Sequence, residues 1–350
     1  MSRTQANRLL YRHSREVARF ACSILPFIRH QEKPGAALIT TTFLIFFLLP
    51  INCSANSHVS NILILLSGNE DVYLDVATTI TNSTIKYCRN HGQVCQNANF
   101  EIVQVASYDI QREKDYFLIV TLGIKAAEFA QHNLKDKIIL SALLPQSNSR
   151  HEKLTATGLN HFFLYLDQPL HRSLLLIKVL SDRFKSVGVL ISKDDTVIAH
   201  TLSEAAGRLD LDLDIQRVES KDQIGASLNN LLDDIDILLA VPDTNIHNRS
   251  TVSNILLSAY RKRIPLIGFS SAYVKAGALA GVYSSPEDIA LQVRDSIVTL
   301  FSGRSMPKME QTADYFSILF NADVARSLGF PVESVNKLKA KMLNRLNDDP

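Results

Sequence analysis

FFLYLDQPLHRSLLLIKVL (Phe162–Leu180) and ALAGVYSSPEDIALQVRDSIVTLF (Ala278–Phe301) share one pattern: an apolar run, a polar pair, and a proline that opens an amphipathic stretch. Proline suits a first helical turn, because its φ is already helical and its missing N–H would have had no partner there. Asp167 and Ser285 stand where an N-cap is wanted. A strand-to-helix connector of this kind, once after each half of the chain, predicts two passages between two lobes. A third candidate passage is DYFSILFNADVARSL (Asp314–Leu328). Three passages make a hinge, and two hinged lobes make a cleft that closes on a ligand.

The rest of the chain supplies the lobes. NILILLS (Asn61–Ser67), a helical pattern over 72–89, FEIVQVA, YFLIVTLG (Tyr116–Gly123), a helical pattern over 125–132 and KIILSALL (Lys137–Leu144) form a first set. SVGVLIS (Ser186–Ser192), LDIQRV, IDILLAVP (Ile235–Pro242) and IPLIGFS form a second, with helical patterns over 197–209, 222–232 and 251–263 between them. Alternating strands and helices predict α/β architecture: two doubly wound, Rossmann-like lobes joined by three crossovers, with ligands beyond the strand carboxyl ends. The expected division is 56–165 plus 285–310 for the first lobe and 166–284 plus 311–332 for the second. A tail over 333–350 carries Val335, Leu338, Met342 and Leu346 at helical spacing, suited to packing on a lobe, with binding of a partner as the alternative.

Residues 1–55 read as a basic leader. They hold seven Lys or Arg and two acids, leaving 30 basic and 33 acidic residues, a net of −3, in the remainder. No broad basic field survives there, so nucleic acid is not an expected partner. AALITTTFLIFFLLPI (Ala36–Ile51) is uncharged but short for a membrane span, and Cys53-Ser54-Ala55 follows a small-x-small pattern. A secretory signal cut after Ala55 is expected, with an uncleaved anchor and lipidation of Cys53 as the alternatives. Beyond it, Cys88 and Cys95 are the two cysteines left; a disulfide closing that short loop would contribute roughly 2.5 kcal/mol, and two free thiols are the alternative.

GFSSAYVKAGALAGVYSS (Gly268–Ser285) is small-residue-rich: eleven of its eighteen residues are Gly, Ala or Ser. Gly268-Phe269-Ser270-Ser271-Ala272 falls one Gly short of a nucleophile elbow, and the stretch behind it is too short for the helix such an elbow needs. A cleft lip is the better reading, with hydroxyls from Ser270 and Ser271 and aromatic groups from Tyr273 and Tyr283; Tyr273 could equally pack a short helix on the sheet. Asp243 and Asn245 stand at another strand end, as ammonium-facing or capping groups. Asp167 and Gln168 are hinge caps or cleft acceptors. Gly123 would open a helix N-terminus toward a carboxylate, and Ser67 and Asn69 lie in the matching loop of the first strand. Gly123 and Asp243 together would meet both charges of a zwitterion from opposite lobes.

VPDTN (Val241–Asn245), RIPLIGFSSAYVKAGALAGVYSS (Arg263–Ser285) and YFSILFNADVARSLGF (Tyr315–Phe330), in this order and spacing, resemble the ABC-transporter substrate-binding protein family whose better known members bind tryptophan or tyrosine. YLDQP and TLGIKAAEFA (Thr121–Ala130) also look like its first-lobe loops, whereas 144–160 run polar where the family usually has an apolar strand and a short turn. The resemblance implies a periplasmic binding protein type I fold, an amino-acid-like ligand between the lobes, and delivery to an ABC permease in the inner membrane.

The expected function is therefore a periplasmic solute-binding protein, monomeric and without covalent chemistry. A ligand-sensing accessory protein is the alternative, and a secreted hydrolase a remote one. No phosphate loop or dinucleotide fingerprint occurs, and His151, His161, His171, His200 and His247 lack metal-ligand spacing, so no cofactor or metal is expected.

Overall fold

The computed structural model describes residues 61–91, 95, 98–134, 136–146, 154, 160–306 and 308–348. The leader expected over 1–55, and His151 with most of the polar 144–160 segment, lie outside the described residues.

The first lobe begins with β1 (Asn61–Leu66), α1 (Asp71–His91) and β2 (Asn99–Gln104). It continues through β3 (Leu118–Leu122), α2 (Ile124–Asn133), β4 (Ile138–Leu144) and β5 (His161–Tyr165). After α3 (Leu170–Leu180), the second lobe runs β6 (Ser186–Ser192), α4 (Thr196–Arg208), β7 (Asp212–Val218), α5 (Ile224–Leu231) and β8 (Ile237–Leu239). It goes on through α6 (Val252–Arg261), β9 (Leu266–Gly268), α7 (Ser271–Lys275) and β10 (Ala280–Tyr283). The chain ends with α8 (Pro286–Phe301), β11 (Glu310–Thr312), β12 (Ser317–Phe320), α9 (Ala322–Leu328) and α10 (Val335–Asp348).

The sheets repeat one order. The first is β2-β1-β3-β4-β5-β11 and the second β7-β6-β8-β9-β10-β12. All their pairings are parallel except β12 on β10. Helices cover both faces, which is why Ile62–Leu66 of β1 is buried without a break rather than alternately.

The passages fall where the connectors predicted. β5 pairs in the first sheet, yet Leu174, Leu176 and Ile177 of α3 pack with Val187, Val189 and Val282 of the second lobe. β10 pairs in the second sheet, yet Ile289, Val293 and Ile297 of α8 pack with Ile62, Ile64 and Leu164 of the first. The third passage lies between β11 and β12, two residues later than the sequence boundary at 310: Gln311 and Thr312 still pair with Leu164 and Tyr165. A three-residue polar strand carries no periodicity to announce it. The 333–350 tail packs on the second lobe: α10 buries Leu338 and Met342 in its core.

Cys88, near the end of α1, is joined to Cys95 by a disulfide, packed against Val298 and Phe301 of α8. The small-residue run is a packing seam in its first part. A Cβ on Gly281 would stand 2.5 Å from the Gly268 carbonyl oxygen and 3.0 Å from Val274 Cγ2, and one on Gly268 would meet Tyr273 Cβ at 2.8 Å. Gly281→Ala should therefore cost about 1–3 kcal/mol through overpacking; a urea midpoint equal to that of the parent chain would show that β9 and β10 can separate freely.

Candidate ligand-binding site at the strand carboxyl ends

The hinge brings the carboxyl edges of the two sheets together. Gln168, in the first passage, donates from Nε2 to Ser284 Oγ at 2.8 Å in the second and to the Tyr315 carbonyl at 2.9 Å in the third. Ser284 Oγ donates in turn to the Leu166 carbonyl at 2.5 Å. The ends of β5 and β10 therefore adjoin. Ser285 is the expected N-cap of α8, with a reciprocal capping box to Asp288 and Pro286 in the first turn. Asp167 is not a cap: Pro169 holds the N-cap position of α3, and the Asp167 carboxylate instead accepts the Gln146 N–H. A carboxylate two residues before the N-cap reaches the neighbouring strand's loop more easily than its own helix.

On the first lobe, Ser67 Oγ accepts the Ala126 N–H at 2.9 Å, so this hydroxyl anchors the start of α2. Gly123 has φ +88°, and a Cβ there would lie 2.7 Å from Ser67 Oγ and 2.8 Å from the Tyr73 hydroxyl. Glycine is required by both the backbone and the space. Its own N–H is not open to a carboxylate, because it donates to the Ala142 carbonyl at 2.9 Å. The first-turn donors that remain are the N–H groups of Ile124 and Lys125. Asn69 is exposed in the loop after β1. Burial, and then the nearby Glu70 carboxylate, push the Tyr73 hydroxyl above its ordinary value. Tyr73 and Glu70 lay outside the sequence candidates; their position one turn after a strand end was the available signal.

On the second lobe the Asp243 carboxylate faces backbone. Oδ2 accepts the Ser192 N–H at 2.7 Å and Oδ1 accepts the Asn245 N–H at 2.9 Å, in a side chain that is only 6% exposed. Asn245 is exposed and donates from Nδ2 to Ser192 Oγ at 3.2 Å. Ser270 caps α7 by accepting the Tyr273 N–H, with Ser271 half-buried next to it. Tyr273 turns away from the lip. It is 4% exposed, packs with Phe269 and Val274, and its hydroxyl bonds His247 Nδ1 at 2.8 Å. Of the two readings of Tyr273, packing is the one the structure takes, since Gly268 leaves the floor on which the ring's Cβ rests. Tyr283 is half-buried at the end of β10. Asn69, Asn245, Ser271 and Tyr283 thus remain at the carboxyl edges with side chains at least partly open.

A model of the family described as ABC transporter substrate binding protein matches residues 76–341. The chain belongs to this family. The family is a substrate-binding class, and the two lobes are those of a type I periplasmic binding protein. The ligand-free, open structure of CD0873, a substrate binding protein with adhesive properties from Clostridium difficile, is 22% identical. It superposes with a TM-score of 0.60, covering 79% of this chain and 97% of that one. The ABC domain from Streptococcus pneumonia in complex with L-Trp is 18% identical, with a TM-score of 0.48, covering 80% and 97%. No match was found among curated proteins. No helix among the described residues of this substrate-binding protein is long and apolar enough to cross a membrane.

Two buried imidazoles make the fold acid-sensitive. His161 Nε2 bonds Ser141 Oγ at 2.8 Å in the first sheet, with Thr121 Oγ1 donating to that same oxygen at 2.7 Å. Burial holds both His161 and His247 down to about 4. The folded state thus prefers the neutral ring. Stability is undiminished above the unfolded value near 6.5, falls as pH drops from about 6.5 toward 4, and levels below that. Each ring contributes up to about 3 kcal/mol to this loss. Urea midpoints at pH 7.5 and 4.5 measure it; a His161→Gln variant with the parent's full pH slope would count against that ring. Separately, Asp243→Ala leaves two backbone donors unpaired and should lower stability by about 1–3 kcal/mol, read as a lower melting temperature with no ligand present.

Proposed function

We propose that the chain is an exported solute receptor that closes its lobes on a small amino-acid-like molecule and delivers it to an ABC importer. The observation that carries this reading is the hinge at Gln168, Ser284 and Tyr315, which joins two sheets at their carboxyl edges. Those edges carry neutral polar groups: the side chains of Asn69, Asn245, Ser271 and Tyr283, and the N–H groups opening α2. Such a lining suits a small polar molecule better than a polyanion or a lipid chain.

A zwitterion needs donors for its carboxylate and an acid for its ammonium. The opening turn of α2 supplies the donors. Asp243, already bonded through both oxygens to backbone, gives way in this reading to Glu70, which has no ion pair among the described residues and lies near Tyr73, whose hydroxyl stands against Gly123. Both halves of the zwitterion then meet the first lobe, and the second lobe closes over the side chain.

A thermal-shift screen against L-tyrosine, L-tryptophan, other amino acids, short peptides, nucleosides and vitamins tests this. A ligand at a hundred times its dissociation constant adds roughly 2.7 kcal/mol of stability. An amino-acid hit weakened at least about tenfold by Glu70→Gln supports the assignment, because a charge-assisted hydrogen bond contributes that much. A hit confined to nucleosides or vitamins would overturn the ligand class, and no shift across the library would remove the solute-receptor reading. Uptake of the identified solute by cells lacking the gene tests delivery.

A further inference from the structure

One side chain in the hinge has more donors than the described arrangement uses. Arg172, in the first turn of α3, donates from Nη1 to Gln168 Oε1 at 2.6 Å and to the Ala313 carbonyl at 2.7 Å. Its guanidinium carbon sits 5.1 Å from the centre of the Phe316 ring. Its Nε is buried and has no hydrogen-bond partner. The residue after Ala313 is Asp314, whose carboxylate makes no ion pair among the described residues; its Oδ2 accepts from Gln292 Nε2 at 2.8 Å. Gln292 belongs to α8, which packs on the first lobe, whereas Arg172 belongs to α3, which packs on the second. Asp314 therefore lies in the third passage between a neutral partner from one lobe and an under-used cation from the other. Burial pulls the Arg172 guanidinium below its ordinary value, and the Asp314 charge opposes that pull.

We propose that Arg172 is a two-position hinge residue: it clamps the first and third passages in the arrangement described, and pairs with the Asp314 carboxylate when the lobes rotate, so that this pair sets the balance of lobe arrangements without touching ligand. The proposal rests on the hinged-receptor reading for its purpose. A buried unpaired donor disfavours the described arrangement, while the Gln168 and Ala313 bonds favour it. Two arrangements of similar free energy are what a receptor closing on a weakly interacting solute needs, since a ligand shifts an equilibrium only by its differential affinity.

Spin labels report the lobe arrangement directly. Leu74 on α1 and Val197 on α4 lie in different lobes and are 54% and 71% exposed, so Leu74→Cys with Val197→Cys accepts a label pair on the chain as the cell processes it. Inter-label distances are measured by pulsed electron resonance with no ligand added, so the outcome does not depend on which molecule the receptor takes. Two populations are expected. Asp314→Asn keeps an acceptor for Gln292 but removes the charge, and should lower the second population about two- to five-fold, the worth of an ion pair to an exposed carboxylate. Gln168→Ala removes the clamp and should raise that population several-fold; Ser284→Ala is the substitute if that variant does not fold. Opposite shifts from the two variants establish the device. A single distance in the parent chain, or shifts in the same direction, would overturn it.

Discussion

The carboxamide of Gln168 is the smallest object that touches all three passages of the chain between the lobes. Its NH2 group bonds a hydroxyl in the second passage and a carbonyl in the third, and its oxygen takes Arg172. A side chain with both donors and an acceptor is needed there, because the passages are irregular backbone whose polar groups have no sheet or helix partners. Asp288 extends the same logic: its Oδ2 caps α8 through Ser285 and also accepts Ser317 Oγ from β12 at 2.7 Å. A helix packed on one lobe is thereby tied to a strand of the other.

Everything beyond the hinge follows from burying two sheets on both faces. Strand order 2-1-3-4-5 in each lobe leaves β5 and β10 at an edge, and the chain departs from those edges. The sixth strand of each sheet is added only after the chain has crossed over, so β11 and β12 close the two edges from which the first two passages leave. Neither lobe's sheet is complete without a segment that follows the second passage. The hinge is consequently a condition of folding as well as of closure.

That architecture was largely legible in the chain, because it rests on periodicity and on prolines. Continuous apolar runs marked the long strands, and Pro286 behind Ser285 marked the start of α8 with its cap. The details that failed to show were those in which one polar side chain chooses between neighbours. Asp167 stands two places before Pro169 whereas Ser285 stands immediately before Pro286, and Pro169 itself lies one place earlier relative to α3 than Pro286 does to α8, so only Ser285 caps its helix. Asp243 and Ser67 stand at strand ends as expected, and both serve backbone N–H groups there. Local sequence says that a strand end has an oxygen available; only the fold says which donor is nearest. Arg172 was illegible for a different reason: a single cation inside LHRSLLLIKVL looks like the polar face of an amphipathic helix, whereas here it points into the hinge.

The small-residue run shows how packing determines what a lip can offer. Gly268 lets the Cβ of Tyr273 settle against the end of β9, and Gly281 lets Val274 and the Gly268 carbonyl come close to β10. Asn321 then caps α9 and donates from Nδ2 to the Val274 carbonyl at 3.1 Å, which fixes the end of α7 to the neighbouring strand's helix. Held from both sides, the five-residue α7 has its aromatic ring drawn inward to His247 and its first residues left at the edge. The aromatic group that looked most like a ligand wall is therefore part of the foundation. A rigid lip of this kind presents Ser271 and the backbone around it in one position, and preorganisation of that sort lowers the ordering cost of binding.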